Sequence, residues 1–280
     1  MTISLVTAAR RPGLVFLLWA WYTALALVAA VPYRAWLAGI TGAAPETDVL
    51  LEGVQVGTLV ELLQASDSAF PWLPAILAGL VGLALLSNAF LSGGLFQVMV
   101  VPGPDRLLPG FFQAAGHFFF RSLGLLAITA ALLLVAAAGA AALGALLGAV
   151  AGNNEAVGAA AALIVLLLLA GVAAFLLLAL DYSRVRLVTG DRIGVVRTWL
   201  DGARFVAAHP LRAVTPGVLY GAAIAGTLVL AAWATAARAP HAWAAILAVI
   251  VLQQARLLVR VLLRVGLVAA EVNVISRRPA

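Results

Sequence analysis

The sequence predicts an all-α integral membrane protein, a polytopic bundle of six transmembrane helices that forms a single domain over residues 1–280. Three observations support this fold class. First, 65% of the 280 residues are hydrophobic and only 10% are charged, whereas soluble domains average about 45–50% apolar and about 25% charged residues. Second, six apolar runs are long enough to cross a bilayer as helices. Third, most arginines fall on one side of the topology that these runs define.

This composition excludes several classes of protein. So few charges cannot solvate a globule of this size, which excludes a water-soluble enzyme, a disordered tail and a nucleic-acid-binding module. The formal net charge of +6 comes from arginine, because the chain contains no lysine. Cysteine is also absent, which excludes disulfides, thiolate metal sites and cysteine nucleophiles.

Six segments have the length and composition of transmembrane helices. A hydrocarbon core about 30 Å thick requires about 20 apolar residues in helical form. A proline-flanked turn at 71–74 favours a helix start before the second segment, and a polar turn at 152–155 separates the third from the fourth. His209 and Pro210 end the helix before the fifth. The predicted spans are residues 14–38, 72–101, 123–151, 156–180, 214–237 and 242–266.

The first span has a second interpretation as a cleavable signal peptide. Arg10 and Arg11 precede an apolar run, as in the first two regions of such a peptide. The apolar run continues through Trp36 and Leu37, however, and residues 32–34 make a poor small-residue cleavage site. The sequence therefore favours a retained membrane anchor.

The arginines predict the orientation of the bundle. With six alternating spans, both termini and the loops around 102–121 and 181–213 lie on one side. That side carries twelve arginines, against Arg34 and Arg238 on the other: Arg10, Arg11, Arg106, Arg121, Arg184, Arg186, Arg192, Arg197, Arg204, Arg212, Arg277 and Arg278. Positively charged loops stay in the cytoplasm, and the acidic loop 39–71 fits the external side. We therefore expect a bacterial cytoplasmic (inner) membrane protein with both termini in the cytoplasm.

Two cytoplasmic segments have the pattern of interfacial amphipathic helices. In 109–121, Gln113, His117 and Arg121 recur every four residues. In 191–208, a polar stripe of Arg197, Asp201 and Arg204 lies beside an apolar stripe at helical spacing, formed by Ile193, Val196, Leu200, Ala203 and Ala207. Such helices lie in the interface plane with their arginines toward anionic headgroups. Arg192, Arg197 and Arg204 are thus candidate contacts for lipid or a partner.

The order span, interfacial helix, span occurs twice in the same direction. This order indicates a parallel duplication, unlike the inverted repeats of many secondary transporters. The alternative is that each cytoplasmic connector became amphipathic independently, and the low identity between the halves leaves both interpretations open.

One stretch resembles a known group of proteins. It comprises LDYSRVRLV at 180–188, Asp191 and Arg192, residues 199–205, and the run His209, Pro210, Leu211, Arg212. Over about 175–220 the chain resembles a loose group of uncharacterised bacterial multi-spanning membrane proteins. These are similar to the membrane domain fused to some glycerophosphodiester phosphodiesterases. The resemblance implies a membrane fold but no phosphodiesterase activity, because no stretch here has the composition of that soluble domain.

The last span carries an unusual polar stripe on one helical face, made of Gln253, Arg256, Arg260, Arg264 and Glu271. If the span begins near residue 242, Arg256 lies about 21 Å from the outer edge and only about 9 Å from the inner edge of the core. The arginines then reach the inner headgroups by snorkelling, or they pair with carboxylates such as Asp181, Asp191 or Asp201. The alternative is a pathway for a substrate or a lipid phosphate.

Small residues in the third and fifth spans suggest close helix packing. Gly144, Gly148 and Gly152 lie on one face of the third span, and Gly217 and Gly221 on one face of the fifth. Such faces allow close backbone approach in lipid, either within the chain or between two copies. In the second span, Asn88 is a candidate for interhelical hydrogen bonding or for a small polar cavity.

Residues with catalytic chemistry do not converge in this sequence. His117, His209 and His241 fall in separate loops, and the zinc, nucleophile-elbow and nucleotide-binding motifs are all missing. We therefore expect no catalytic, cofactor-binding or metal residues and no cofactor.

The sequence thus favours a non-enzymatic scaffold or accessory subunit that contacts anionic lipid headgroups and a membrane-protein partner or a second copy, without nucleic acid. One alternative is a small transporter or lipid-handling permease with a polar site between spans 2 and 6, formed by Asn88, Gln253 and Arg256. The other alternative is a membrane enzyme.

Overall fold

The computed structural model describes residues 11–41, 73–100, 107–152, 154–190, 194–236 and 243–276. All regular elements in these ranges are α-helices. In chain order they are α1 (Pro12–Thr41), α2 (Leu73–Val100), α3 (Leu107–Ala151), α4 (Glu155–Thr189), α5 (Val195–Ala208), α6 (Pro210–Ala236) and α7 (Trp243–Ser276). Residues 42–71 of the predicted acidic loop lie outside the described residues. Residues 191–193, which include Arg192, also lie outside them.

Five of these helices are long and apolar enough to cross a membrane. The qualifying segments are Pro12–Pro32, Ala75–Val100, Leu108–Ala151, Glu155–Thr189 and Pro210–Trp233. The chain is therefore an all-helical integral membrane protein, which confirms the predicted class. The predicted sixth span lies in α7. The part of α7 whose side chains are described is not apolar enough to count as a membrane-crossing segment, because Arg256, Arg260 and Arg264 interrupt its apolar sequence.

Two helix boundaries differ from the sequence prediction. Residues 109–121, predicted as a separate interfacial helix, form the first turns of α3, which runs unbroken for 45 residues. A separate helix needs a chain break after 121, and the sequence has no proline there that would supply one. α4 likewise continues past the predicted end at 180 to Thr189. Residues 181–189, predicted as loop, are therefore helical.

The connection between α3 and α4 is a tight turn with defined capping. Gly152 adopts a φ of 57°, a left-handed conformation that glycine accepts readily. The side chain of Asn154 then accepts a hydrogen bond of 3.2 Å from the backbone N–H of Val157 in the first turn of α4. The predicted polar turn between the third and fourth spans is confirmed at this position.

The chain divides into two compact units, one made of Leu17–Asn88 and one made of Met1–Phe16 with Ala89–Ala280. In the larger unit α4 packs against α3 and α5, and α6 packs against α7. Its main core cluster lies where the early part of α3, the late part of α4 and α5 meet. The buried members of this cluster are Leu125, Leu176, Ala179, Leu180, Leu187 and Trp199.

The middle of the α3–α4 hairpin exposes apolar side chains in large numbers. On α4 these include Leu163, Ile164, Leu166, Leu167 and Leu168. An exposed apolar surface of this extent marks contact with lipid or another protein. The polar and charged contacts between helices are concentrated near the C-terminal end of α4.

Candidate functional site

Helix α5 is attached to the end of α4 by a close backbone contact at Gly202. A Cβ atom at Gly202 would lie 2.7 Å from the carbonyl oxygen of Ala179 and 2.8 Å from the backbone nitrogen of Ser183, and closer still to the Ser183 hydroxyl oxygen. Only glycine allows the two helices to approach this closely. The hydroxyl group of Ser183 donates to the carbonyl oxygens of Ala179 at 2.6 Å and of Trp199 at 3.3 Å.

Two further hydrogen bonds connect neighbouring helices in this region. The indole Nε1 of Trp199 donates to Oγ1 of Thr129 on α3 at 3.0 Å, in a buried position. The hydroxyl group of Tyr182 on α4 donates to the carbonyl oxygen of Ala213 on α6 at 3.2 Å. Buried polar groups that are paired in this way orient the helices that carry them.

The side chains of α5 form three faces. One face is buried against the protein and consists of Thr198, Trp199, Gly202, Phe205 and Val206. A second face is apolar and exposed, with Val196, Leu200 and Ala207. The third face is polar and consists of Arg197, Asp201 and Arg204. The sequence pattern predicted the second and third faces but not the first.

A cluster of four ionisable side chains, two of them almost completely buried, lies at the junction of α4 and α7. Asp181 is at its centre and accepts hydrogen bonds from Arg184 at 3.3 Å and from Arg264 at 3.2 and 3.4 Å. The Arg184 side chain is only 3% exposed, whereas that of Arg264 is 33% exposed. We refer to Asp181, Arg184, Arg264 and Glu271 as the α4–α7 cluster.

Glu271 is the fourth member of the α4–α7 cluster and is 2% exposed. Burial raises the pKa of its carboxyl group well above the ordinary range, and the negative charge of Asp181 adds to this effect. Arg264 and Arg184 oppose it. Burial disfavours the ionised form, so the protonated carboxyl is favoured. Its Oε2 has no hydrogen-bond partner among the described residues.

Arg184 also has unsatisfied hydrogen-bonding groups. Its Nη1 donates to Asp181, whereas its Nε and Nη2 are buried and have no partner in the described part of the chain. These two nitrogens form one edge of the planar guanidinium group. Arg186 and His209 each have one such buried nitrogen, but Arg184 has a complete two-nitrogen edge.

The structure separates the arginines predicted as one stripe on the last span. Arg264 pairs with Asp181, which confirms the predicted interaction with a carboxylate. Arg256 donates to Oε1 of Gln253 on the same helix at 3.3 Å, and Arg260 is exposed. The stripe therefore changes from exposed at Arg260 to buried at Glu271.

The remaining predicted contact residues lie on exposed surfaces. Arg197 is exposed, and Arg204 is 80% exposed with a 3.9 Å ion pair to Asp201. Asn88 lies on an exposed part of α2. Its neighbour Ser92 is buried, and the hydroxyl groups of Ser92 and Ser122 are 2.9 Å apart and hydrogen-bonded. This bond joins α2 to α3 one turn after Asn88.

The glycines predicted to pack helices differ in their surroundings. A Cβ on Gly217 would lie 3.5 Å from a methyl group of Leu178, which is ordinary contact between α6 and α4. No described atom lies within 4 Å of the equivalent position at the other four, Gly144, Gly148, Gly152 and Gly221. Their role in packing, within the chain or between copies, stays a prediction.

Sequence reasoning missed the importance of Arg184 and Gly202. The sequence places Arg184 in a loop, because the fourth span is predicted to end at 180. Its spacing of three from Asp181 is a signal that could have identified the pair. For Gly202 there was no signal in the sequence, because only the position of α4 makes a side chain impossible there.

Among the described residues, no group of three or more histidine and acidic side chains could hold a metal ion. Comparisons with protein-family models, with curated proteins and with solved structures found no match to this chain. The resemblance over 175–220 therefore stays a prediction.

Proposed function

We propose that this chain is a non-enzymatic protein of the bacterial inner membrane that binds anionic lipid headgroups through α5 and serves as a scaffold or accessory subunit for a membrane partner. The observation that carries this proposal is the arrangement of α5. Its buried face holds the helix on the protein, while an apolar face and an arginine face stay exposed side by side.

These two exposed faces suit the boundary between acyl chains and headgroups. Val196 and Leu200 are 63% and 42% exposed, an arrangement that is costly in water and favourable at the acyl boundary. Arg197 and Arg204 lie on the neighbouring face, where each arginine near an anionic surface contributes about 1 kcal/mol of attraction. Leu211 and Arg212, both exposed at the start of α6, continue the same pattern.

The proposal includes six spans with both termini in the cytoplasm. The excess of arginine in the loops assigned to the cytoplasmic side supports this orientation. Arg256 and Arg260 on α7 are compatible with a sixth span if they lie near its inner end, because a long arginine side chain can reach the headgroups from there. The acidic pairing of Arg264 further lowers the cost of its charge.

The lipid preference can be measured by titrating the purified full chain with phosphatidylglycerol or phosphatidylcholine in native mass spectrometry. We expect the protein to bind phosphatidylglycerol more tightly than phosphatidylcholine. In the Arg197→Gln/Arg204→Gln variant, the affinity for phosphatidylglycerol should fall about fivefold for each arginine removed. Phosphatidylcholine binding should not change.

Arg34→Gln is the matched control, because Arg34 is also exposed but lies on the predicted outer side. It should leave the affinity for both lipids unchanged. Equal affinity of the wild-type protein for the two lipids would contradict the proposal.

A further inference from the structure

We propose that the junction of α4 and α7 contains a binding site for a phosphate group, held in bidentate fashion by Nε and Nη2 of Arg184. The α5 surface is a separate feature with different residues, so this site does not depend on the function proposed above.

The geometry of Arg184 is the first argument. Its Nη1 is held by Asp181 at 3.3 Å, which fixes the guanidinium plane. The Nε–H and one Nη2–H then point the same way along the open edge, and both are buried without an acceptor among the described residues. Two parallel donors at this spacing match two oxygens of one phosphate or carboxylate group. Buried donors of this kind are costly unless an acceptor is bound.

The charge of the α4–α7 cluster is the second argument. Asp181 neutralises one of the two arginines, and the buried Glu271 favours its protonated form because burial raises its pKa. The cluster then has one net positive charge in a position with little solvent. A singly charged phosphate group would restore neutrality.

The hydrogen-bonding capacity of Glu271 favours a phosphate over a carboxylate ligand. The Oε2 of Glu271 has no partner in the described part of the chain, and a protonated carboxyl can donate one hydrogen bond. A carboxylate bound to the edge of Arg184 can accept from Glu271 only through the remaining lone pairs of the same two oxygens, whereas a phosphate offers separate oxygens for Glu271.

Access to the site is available along Arg264, whose side chain is one-third exposed. Arg184 itself is 3% exposed and Asp181 is 17% exposed, so Arg264 is the most exposed of these three side chains. The phosphate can belong to a lipid headgroup or to free inorganic phosphate, and the two sources are separated by experiment.

The test titrates the full chain in neutral detergent with inorganic phosphate by isothermal calorimetry. In parallel, phosphatidylglycerol is titrated by native mass spectrometry in the Arg197→Gln/Arg204→Gln/Arg212→Gln background, which removes the exposed arginines of α5 and of the start of α6. Saturable binding in the first assay assigns free phosphate, and saturable binding in the second alone assigns a lipid headgroup. Absence of binding in both would overturn the proposal.

Arg184→Lys keeps the positive charge and removes the bidentate edge, so it should weaken binding by about tenfold or more. Arg260→Lys, at an exposed arginine of α7 outside the α4–α7 cluster, is the matched control and should leave binding unchanged. If the Arg184→Lys variant folds poorly, Glu271→Leu is the second test, because it removes a donor to the phosphate and should weaken binding by about threefold or more; unchanged affinity of this variant would overturn the proposal. Unchanged affinity in a folded Arg184→Lys protein would overturn the proposal.

Discussion

Asp181 connects two positively charged residues that lie far apart in the sequence. Arg184 is one helical turn away on α4, whereas Arg264 comes from α7, 83 residues later. A single carboxylate, itself only 17% exposed, thus compensates two guanidinium groups, one of which is almost completely buried. Removing one member of a buried ion pair lowers stability by more than the intact pair contributes to it, because the remaining charge is left uncompensated.

Asp181→Asn should therefore destabilise the protein by about 3–5 kcal/mol, because both arginines lose their negative partner. Thermal and denaturant unfolding in detergent, followed by circular dichroism, would measure the change. Asp201→Asn is the matched control, since its partner Arg204 is 80% exposed at 3.9 Å, and such pairs contribute about 0–1 kcal/mol. Equal effects of the two variants would show that the α4–α7 cluster is not a structural centre.

Pairing of Arg264 with a carboxylate is one of two outcomes that the sequence predicts, beside contact with headgroups, and the burial of Arg184 is not predicted. The pairing of Arg264 with a carboxylate followed from an arginine near the end of an apolar helix, where an uncompensated charge is costly. The burial of Arg184 could not be predicted, because it depends on α4 continuing past residue 180 and on α7 packing against it.

Helix α5 is the element whose position depends most on one residue. Its buried face approaches α4 at Gly202, where both Ala179 and Ser183 leave no room for a side chain. The bond from Trp199 to Thr129 fixes the same helix against α3. Together these contacts set which faces of α5 stay exposed.

Gly202→Ala should displace α5 and destabilise the protein by about 1–3 kcal/mol or more, as overpacked buried sites do. It should also reduce the preference for phosphatidylglycerol, because the exposed arginines move with the helix. Gly139→Ala on α3 is the control, since no described atom lies within 4 Å of that position. Alanine there should leave stability unchanged or raise it by up to about 1 kcal/mol. Similar unfolding curves for the two variants would contradict the role of Gly202.

The existence of the elements was predictable, but their ends were less so. Apolar runs and the proline at 210 located α4, α5 and α6, since a proline cannot donate the hydrogen bond that continues a helix. The sequence predicts that 109–121 is a helix separate from the third span, because the two segments differ in polarity. Polarity alone does not break a helix, and α3 continues through that change without interruption.

For the whole molecule, composition alone predicts a membrane protein, because so apolar a chain cannot expose its surface to water. The five long apolar helices agree with that prediction. A few polar contacts between distant segments help hold the helices together, including Ser92 with Ser122 and Trp199 with Thr129. The hydrophobic pattern of a membrane helix does not indicate which polar residues will pair with another helix. For this reason the sequence did not reveal these contacts.

The cytoplasmic position of α5 is tested most directly by labelling a single cysteine at residue 204. The chain has no native cysteine, so Arg204→Cys provides the only thiol, and Glu155→Cys provides a matched exposed site on the predicted outer side. A membrane-impermeant maleimide should label Arg204→Cys in inside-out vesicles and not in intact spheroplasts, with the reverse result for Glu155→Cys. Labelling of Arg204→Cys from outside intact spheroplasts, or of both sites from the same side, would contradict the proposed topology and the lipid-binding role of α5.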